Sequence, residues 1–131
     1  MQYSKDLANY RLEKAHQTLE SAKILLIADQ YADAASSSYY CIFHSMRAVL
    51  ALENVDFKKH SSVISYFRLH YIKTEKFSTK LSEIITELFT VRGESDYKDF
   101  FAISKEEVSK QVKNAEYFLE QVKRFVVKNC P

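Results

Sequence analysis

The stretch Arg92-Gly93-Glu94-Ser95-Asp96-Tyr97 gathers a guanidinium, two carboxylates and a phenol within six residues. A planar guanidinium forks onto two phosphate oxygens, so Arg92 suits a phosphate ester or a nucleotide. Cleavage of RNA by internal transesterification needs such a cation, a base for the 2′-hydroxyl proton and an acid for the 5′-oxygen. Asp96 and Tyr97 are the side chains at hand, and with Arg92 they form the candidate catalytic set. A phenol is a poor base at neutral pH, and a carboxylate beside an arginine gives up its proton readily. The trio also reads as a structural unit, with Arg92 paired to Asp96 and Tyr97 packed at a helix start. Both readings stay open at this level.

Other residues extend or limit that chemistry. Arg47 offers a second guanidinium, and with Arg92 it would make an anion pocket; it also reads as a lone surface arginine. His60 sits among Lys58, Lys59 and Ser61 at a helix entry, as a phosphate contact or an exposed cap. His44 lies one turn after Cys41, but two ligands do not make a zinc site, so no metal is expected. It reads instead as a helix-face residue bonded within the bundle, and His16 and His70 read as surface or boundary residues. Gly-rich phosphate loops and the Gly-x-Ser-x-Gly elbow are missing from the sequence, and no cofactor is expected.

The elements that position these groups follow from what the chain lacks. Gly93 is the only glycine in 131 residues, and the only proline is Pro131. Almost no turn residues means long helices and short connections. Glycine commonly follows the last turn of a helix, so a helix is expected to end at Gly93, with Arg92–Ile103 joining it to the next. The length suits one domain, residues 1–131, and at 47% hydrophobic and 27% charged the chain can bury a core. No apolar run is long enough to cross a membrane, and the start, Met1-Gln2-Tyr3-Ser4-Lys5-Asp6, reads as polar with no signal peptide. Cys41 and Cys130 have no motif spacing, so a reducing compartment, the cytoplasm, is expected.

Five helical stretches stand out. Leu12, Ala15, Leu19, Ala22 and Leu26 form one stripe over about Lys5 to Asp29. Ala35, Tyr39, Ile42, Phe43, Met46, Val49 and Leu50 form the next, over about Tyr31 to Glu53, in an antiparallel hairpin with the first. Val63, Ile64, Phe67 and Tyr71 mark a third over Ser61 to Ile72. Leu81, Ile84, Ile85, Leu88 and Phe89 mark a fourth, capped by Ser78 or Thr79. Ser104-Lys105-Glu106-Glu107 fits a capping box, and Val108, Val112, Ala115, Leu119, Val122 and Val126 follow on one face. The fold class is all-α, an antiparallel bundle of about five helices. The net charge is +2, but residues 57 to 80 carry six Lys/Arg against Glu75 alone. That +5 reads either as a solvated helix face or as a surface for a phosphate backbone. Tyr39, Tyr40, Tyr66 and Tyr71 belong in the core, at an interface or against bases.

Taken together, these landmarks resemble the HEPN domain family from roughly Asn9 to Val126. Tyr39-Tyr40-Cys41-Ile42-Phe43-His44-Ser45-Met46-Arg47-Ala48 is similar to the family's Tyr-Tyr-x-x-Phe-His-x-x-Arg-Ala segment. Lys59-His60-Ser61-Ser62 resembles its His-rich start to the third helix, and Arg92-Gly93-Glu94-Ser95-Asp96-Tyr97 its Arg-x-x-x-Asp-Tyr variant. The resemblance implies a bundle that dimerises. It also implies a toxin–antitoxin partnership with a minimal nucleotidyltransferase, and an RNA or nucleotide ligand. Active members are metal-independent ribonucleases with an Arg-x(4–6)-His motif in a site composed across the dimer. Here the positions for that histidine hold Tyr97, Lys98 and Asp99. The resemblance therefore implies either a ribonuclease without its usual histidine or a non-catalytic nucleotide- or partner-binding module. Tyr97, as a motif tyrosine, would be a target of nucleotide addition by the partner.

Overall fold

The computed structural model describes residues 2–97 and 102–129, with side chains from Ser4 onward. Five α-helices follow one another: α1 (Gln2–Ile27), α2 (Tyr31–Ala51), α3 (His60–Phe67), α4 (Thr79–Tyr97) and α5 (Lys105–Asn129). A π-helical turn, Arg68–Ile72, continues α3. Among the described residues there is no strand. The bundle expected from periodicity is the observed architecture, and the third expected helix divides into α3 and its π turn.

The helix ends are made without glycine. Asp29 has φ 62° and Asn54 has φ 57°. After α1, the N–H of Gln30 donates to the Leu25 carbonyl at 2.9 Å and that of Asp29 to Leu26 at 3.1 Å. After α2, the N–H of Val55 donates to Leu50 at 3.1 Å and that of Asn54 to Ala51 at 3.0 Å. Both are the six-to-one and five-to-two bonds of a Schellman motif, with Asp or Asn in the left-handed place. Short polar side chains tolerate that conformation because they bond locally. Glu75, φ 63°, turns the chain between α3 and α4. At the start of α5 the expected cap is present: the Glu107 N–H donates to Ser104 Oγ at 3.1 Å.

Gly93 does not end α4. The helix runs through it to Tyr97, and Gly93 lacks positive φ. The expectation that the chain leaves helical geometry at Gly93 is corrected: Arg92, Asp96 and Tyr97 all lie on α4, and Lys98–Phe101 of the expected link fall outside the described residues. The physical reason is that glycine permits a break without requiring one, and Arg92–Asp96 pairing holds the turn closed. A Cβ on Gly93 would meet nothing within 4 Å. Gly93→Ala is therefore expected to stabilise the protein by about 0.5–1 kcal/mol through helix propensity. A melting temperature unchanged or lowered in Gly93→Ala would contradict this.

The predicted stripes are buried almost throughout. Ala15, Leu19 and Ala22 of α1, all seven α2 positions, and the stripes of α3 and α5 lie in the core. Leu12 and Leu26 pack at its margin, and Phe89 is 39% exposed rather than inward. The hairpin of α1 and α2 is the largest helix–helix contact, and α5 packs on both. Phe67, Tyr71, Phe77, Phe118 and Phe125 form one aromatic cluster joining α3, the π turn and the turn before α4 to α5. Cys41 is a free, buried thiol whose pKa burial pushes up to about 12, which makes it inert. Cys130 is outside the described residues.

Candidate functional site

Arg92 projects from the last turns of α4 onto α2. Its Nη2 donates to the Tyr40 hydroxyl at 3.0 Å, and its Nε lies 3.0 Å from Asp96 Oδ2, one turn along. The Nε hydrogen has no directed hydrogen bond, so the Asp96 contact is an ion pair rather than a bonded fork. The guanidinium carbon sits 5.4 Å and 5.5 Å from the ring centroids of Tyr39 and Tyr40, a cation–π bracket. Burial opposes the Arg92 charge, but Tyr40, Asp96 and Tyr39 outweigh it and raise its pKa. The side chain keeps 19% of its surface. A permanent cation is thus braced from behind, with part of its surface open to a ligand.

The Tyr39–Tyr40 pair carries the site across to α3. Tyr39 is fully buried, and its hydroxyl lies 2.9 Å from His60 Nδ1. Burial raises the Tyr39 pKa strongly, so the phenol stays protonated and shares one hydrogen bond with Nδ1. His60 stacks on Phe43 at 3.9 Å between centroids. Burial, then Arg92, then Arg47 lower its pKa, which keeps the ring neutral at pH 7. The two guanidinium groups thus flank one imidazole electrostatically.

Arg47 is held elsewhere than expected. Its Nη2 and Nε donate to Asp56 at 2.9 Å and 3.3 Å, and its guanidinium lies 6.0 Å from the Phe43 ring. Asp56 also accepts from Arg11 Nη2 at 3.1 Å and from the Phe57 N–H at 2.9 Å. Burial works to raise the Asp56 pKa, but Arg47, that N–H and Arg11 outweigh it and hold the carboxylate low. Arg11 in turn donates to the Arg47 carbonyl. The acid was not singled out from sequence; a lone aspartate two residues before Lys58-Lys59 was the only signal.

The structure therefore brings Arg92 and Asp96 together, links His60 to them through Tyr39, and places Arg47 on the far side of Phe43 and His60. Tyr97 stands apart, 80% exposed. His44 is not bonded as expected: its Nδ1 is buried without a partner. No group of three metal-binding side chains occurs among the described residues. Tyr39 and Tyr71 are buried and not available to stack on a base, whereas Tyr40 and Tyr66 are half-buried. No helix among the described residues is long and apolar enough to cross a membrane.

The sequence model of the HEPN domain matches residues 8–125. This chain belongs to the HEPN family. The Methanocaldococcus jannaschii protein named "Putative toxin MJ0142" is 31% identical over 127 residues, 97% of this chain and 86% of that relative. A second from that organism, "Putative toxin MJ0605", is 34% identical over 113 residues, 86% of this chain and 84% of the relative. A Thermotoga maritima "UPF0332 protein" is 27% identical over 126 residues, 96% of each chain. Within this HEPN chain, the family's Arg-x-x-x-Asp-Tyr segment is the last two turns of α4, and its Tyr-Tyr pair is the bracket around Arg92.

Proposed function

We propose that this HEPN protein is the toxin-like member of a toxin–antitoxin pair, and that it binds RNA phosphate at Arg92. The observation that carries the reading is the bracketed guanidinium. Tyr40 and Asp96 hold it, two phenol rings back it, and part of its surface remains open. Preorganised donors of this kind gain more from a phosphate than mobile surface lysines do. Similarity over most of the chain to two relatives named as putative toxins supports the toxin-like role. The protein acts as a homodimer, with the two α4 ends contributing to one site.

Binding without turnover is favoured by one observation. Asp96 is already the counter-ion of the guanidinium at 3.0 Å, and Tyr97, the first of the positions for the usual histidine, is 80% exposed. Incubation of wild type and Arg92→Ala with total RNA in EDTA separates the two forms. Cleavage by wild type alone is the result of a metal-independent ribonuclease. Intact RNA with both folded proteins, together with Arg92-dependent RNA binding, is the result of a binding module. Binding unaffected by Arg92→Ala would remove the site altogether.

The partner is a minimal nucleotidyltransferase whose target is Tyr97. Its exposed phenol on the final turn of α4 is open to another protein's active site. Co-expression with the cognate nucleotidyltransferase and ATP is expected to add nucleotide mass to wild type and none to Tyr97→Phe. Equal masses in the two would count against the modification.

A further inference from the structure

Beside the Arg92 site lies a cavity of about 510 Å³, lined by Phe43, Arg47, Asp56, Phe57, Lys58 and His60. Resting on the RNA reading above, we infer that this cavity takes one unpaired nucleobase of a single-stranded RNA whose adjoining phosphate meets Arg92.

Size, ring chemistry, charge and rigidity each support this occupant. The volume falls within the range of small-ligand pockets. Its walls include three rings: Phe43 and His60, already stacked on each other at 3.9 Å, and Phe57, which is 38% exposed. An aromatic side chain at a polar surface offers a platform on which any base can stack. The rim is cationic. Two cations, Arg47 and Lys58, line it against the one carboxylate of Asp56. A stacking platform beside excess positive charge suits a nucleotide better than a neutral apolar ligand. The base must be unpaired, since a base stacked within a duplex has no free face to lay on a protein ring.

The platform is also fixed in place before any ligand arrives. Phe57 follows the Schellman turn at Asn54, and its own N–H is bonded to Asp56. Asn54 Oδ1 accepts from Ser4 Oγ at 2.9 Å, which ties the same loop to α1. Tyr66 braces the Phe57 ring at 5.6 Å without covering it. Continuity with Arg92 runs through two side chains: the Tyr39 and Tyr40 rings are 5.4 Å and 5.5 Å from the guanidinium, and each is 5.9 Å from the His60 ring.

The test uses fluorescence anisotropy with a short labelled oligoadenylate RNA and the same ribose-phosphate backbone carrying abasic residues. Wild type is expected to bind the abasic strand roughly 5- to 100-fold more weakly, the range of one stacked base. Phe57→Ala should lose a similar factor on oligoadenylate and almost nothing on the abasic strand, and Phe57→Trp should restore it. Arg92→Ala should weaken both strands. Equal binding of the two strands by wild type, with both still dependent on Arg92, would overturn the base pocket and leave the phosphate site standing. Absence of RNA binding by folded wild type would overturn both.

Discussion

Phe67→Ala is expected to lose about 3–5 kcal/mol of stability, the range for removing a fully buried aromatic ring. Phe67 has no exposed surface, and its ring centroid lies 5.3 Å from Phe77, 5.7 Å from Tyr71 and 5.8 Å from Phe118. It is therefore the residue through which α3, the turn before α4 and α5 share one core. α3 has only eight residues and cannot hold itself together by helix propensity. Such a loss is a large part of the roughly 5–15 kcal/mol typical of a whole domain. His60 opens the same helix, so a weakened α3 also loosens the Tyr39–His60 contact. Urea unfolding of wild type, Phe67→Ala and the exposed control Phe57→Ala measures the difference. A loss under about 1 kcal/mol in Phe67→Ala would contradict this packing.

The second large effect is a loss of stability in mild acid that a single substitution reduces. His44 carries a buried Nδ1 with no partner, and its pKa is lowered to about 4. Burial is the main cause, and the charges of Lys14, Arg47, His60 and Arg11 act in the same direction. An unfolded histidine titrates near pH 6.5. Between those values the unfolded chain binds the proton and the native state does not. Stability is therefore level above about pH 6.5 and falls as the pH drops toward 4. The His44 contribution reaches roughly 3 kcal/mol at most, from about 1.4 kcal/mol per unit of pKa difference. His60 is shifted in the same direction and leaves part of the slope in place. Asp56 acts only at lower pH, as its depressed carboxylate becomes protonated.

His44→Phe isolates that contribution. The phenyl ring keeps the aromatic neighbours Phe43 at 6.1 Å and Tyr40 at 6.3 Å between centroids and removes the orphaned nitrogen. Replacing an unsatisfied polar group with an apolar one of similar shape is neutral or stabilising. The variant should match or exceed wild type at pH 7 and fall less steeply toward pH 4. An identical slope in wild type and His44→Phe would show that the imidazole is protonated in the native state without cost.

Part of the candidate site was legible in the residues themselves. The Arg92–Asp96 pair was one of two readings of the residue types, and the structure closes it at 3.0 Å, though as an i, i+4 pair on α4 rather than within a link. What supports that pair was not legible. Tyr40 meets Arg92 across 52 residues of sequence, and Tyr39 meets His60 across 21. Asp56 takes charge from both Arg47 and Arg11, nine and 45 residues away. Such contacts depend on how helices rotate against one another, and no local pattern encodes that rotation. Tyr97 illustrates the converse: its place in the motif says nothing of its exposure, which follows from the face of α4 it occupies.

By itself, the sequence determined the all-α class, the number of helices, the inward stripes, the Ser104 cap and the resemblance to the HEPN family. Each of these rests on periodicity or on short-range spacing, which neighbouring residues encode among themselves. Only the tertiary structure decided which residues take the left-handed turns. The left-handed positions are Asp29, Asn54 and Glu75, while the sole glycine stays helical. A residue's conformational freedom states which geometries are inexpensive, and packing across the bundle selects among them. The same packing leaves Phe89 and Tyr97 outside the core, and sets Arg92, His60 and the Phe57 cavity side by side around Tyr39.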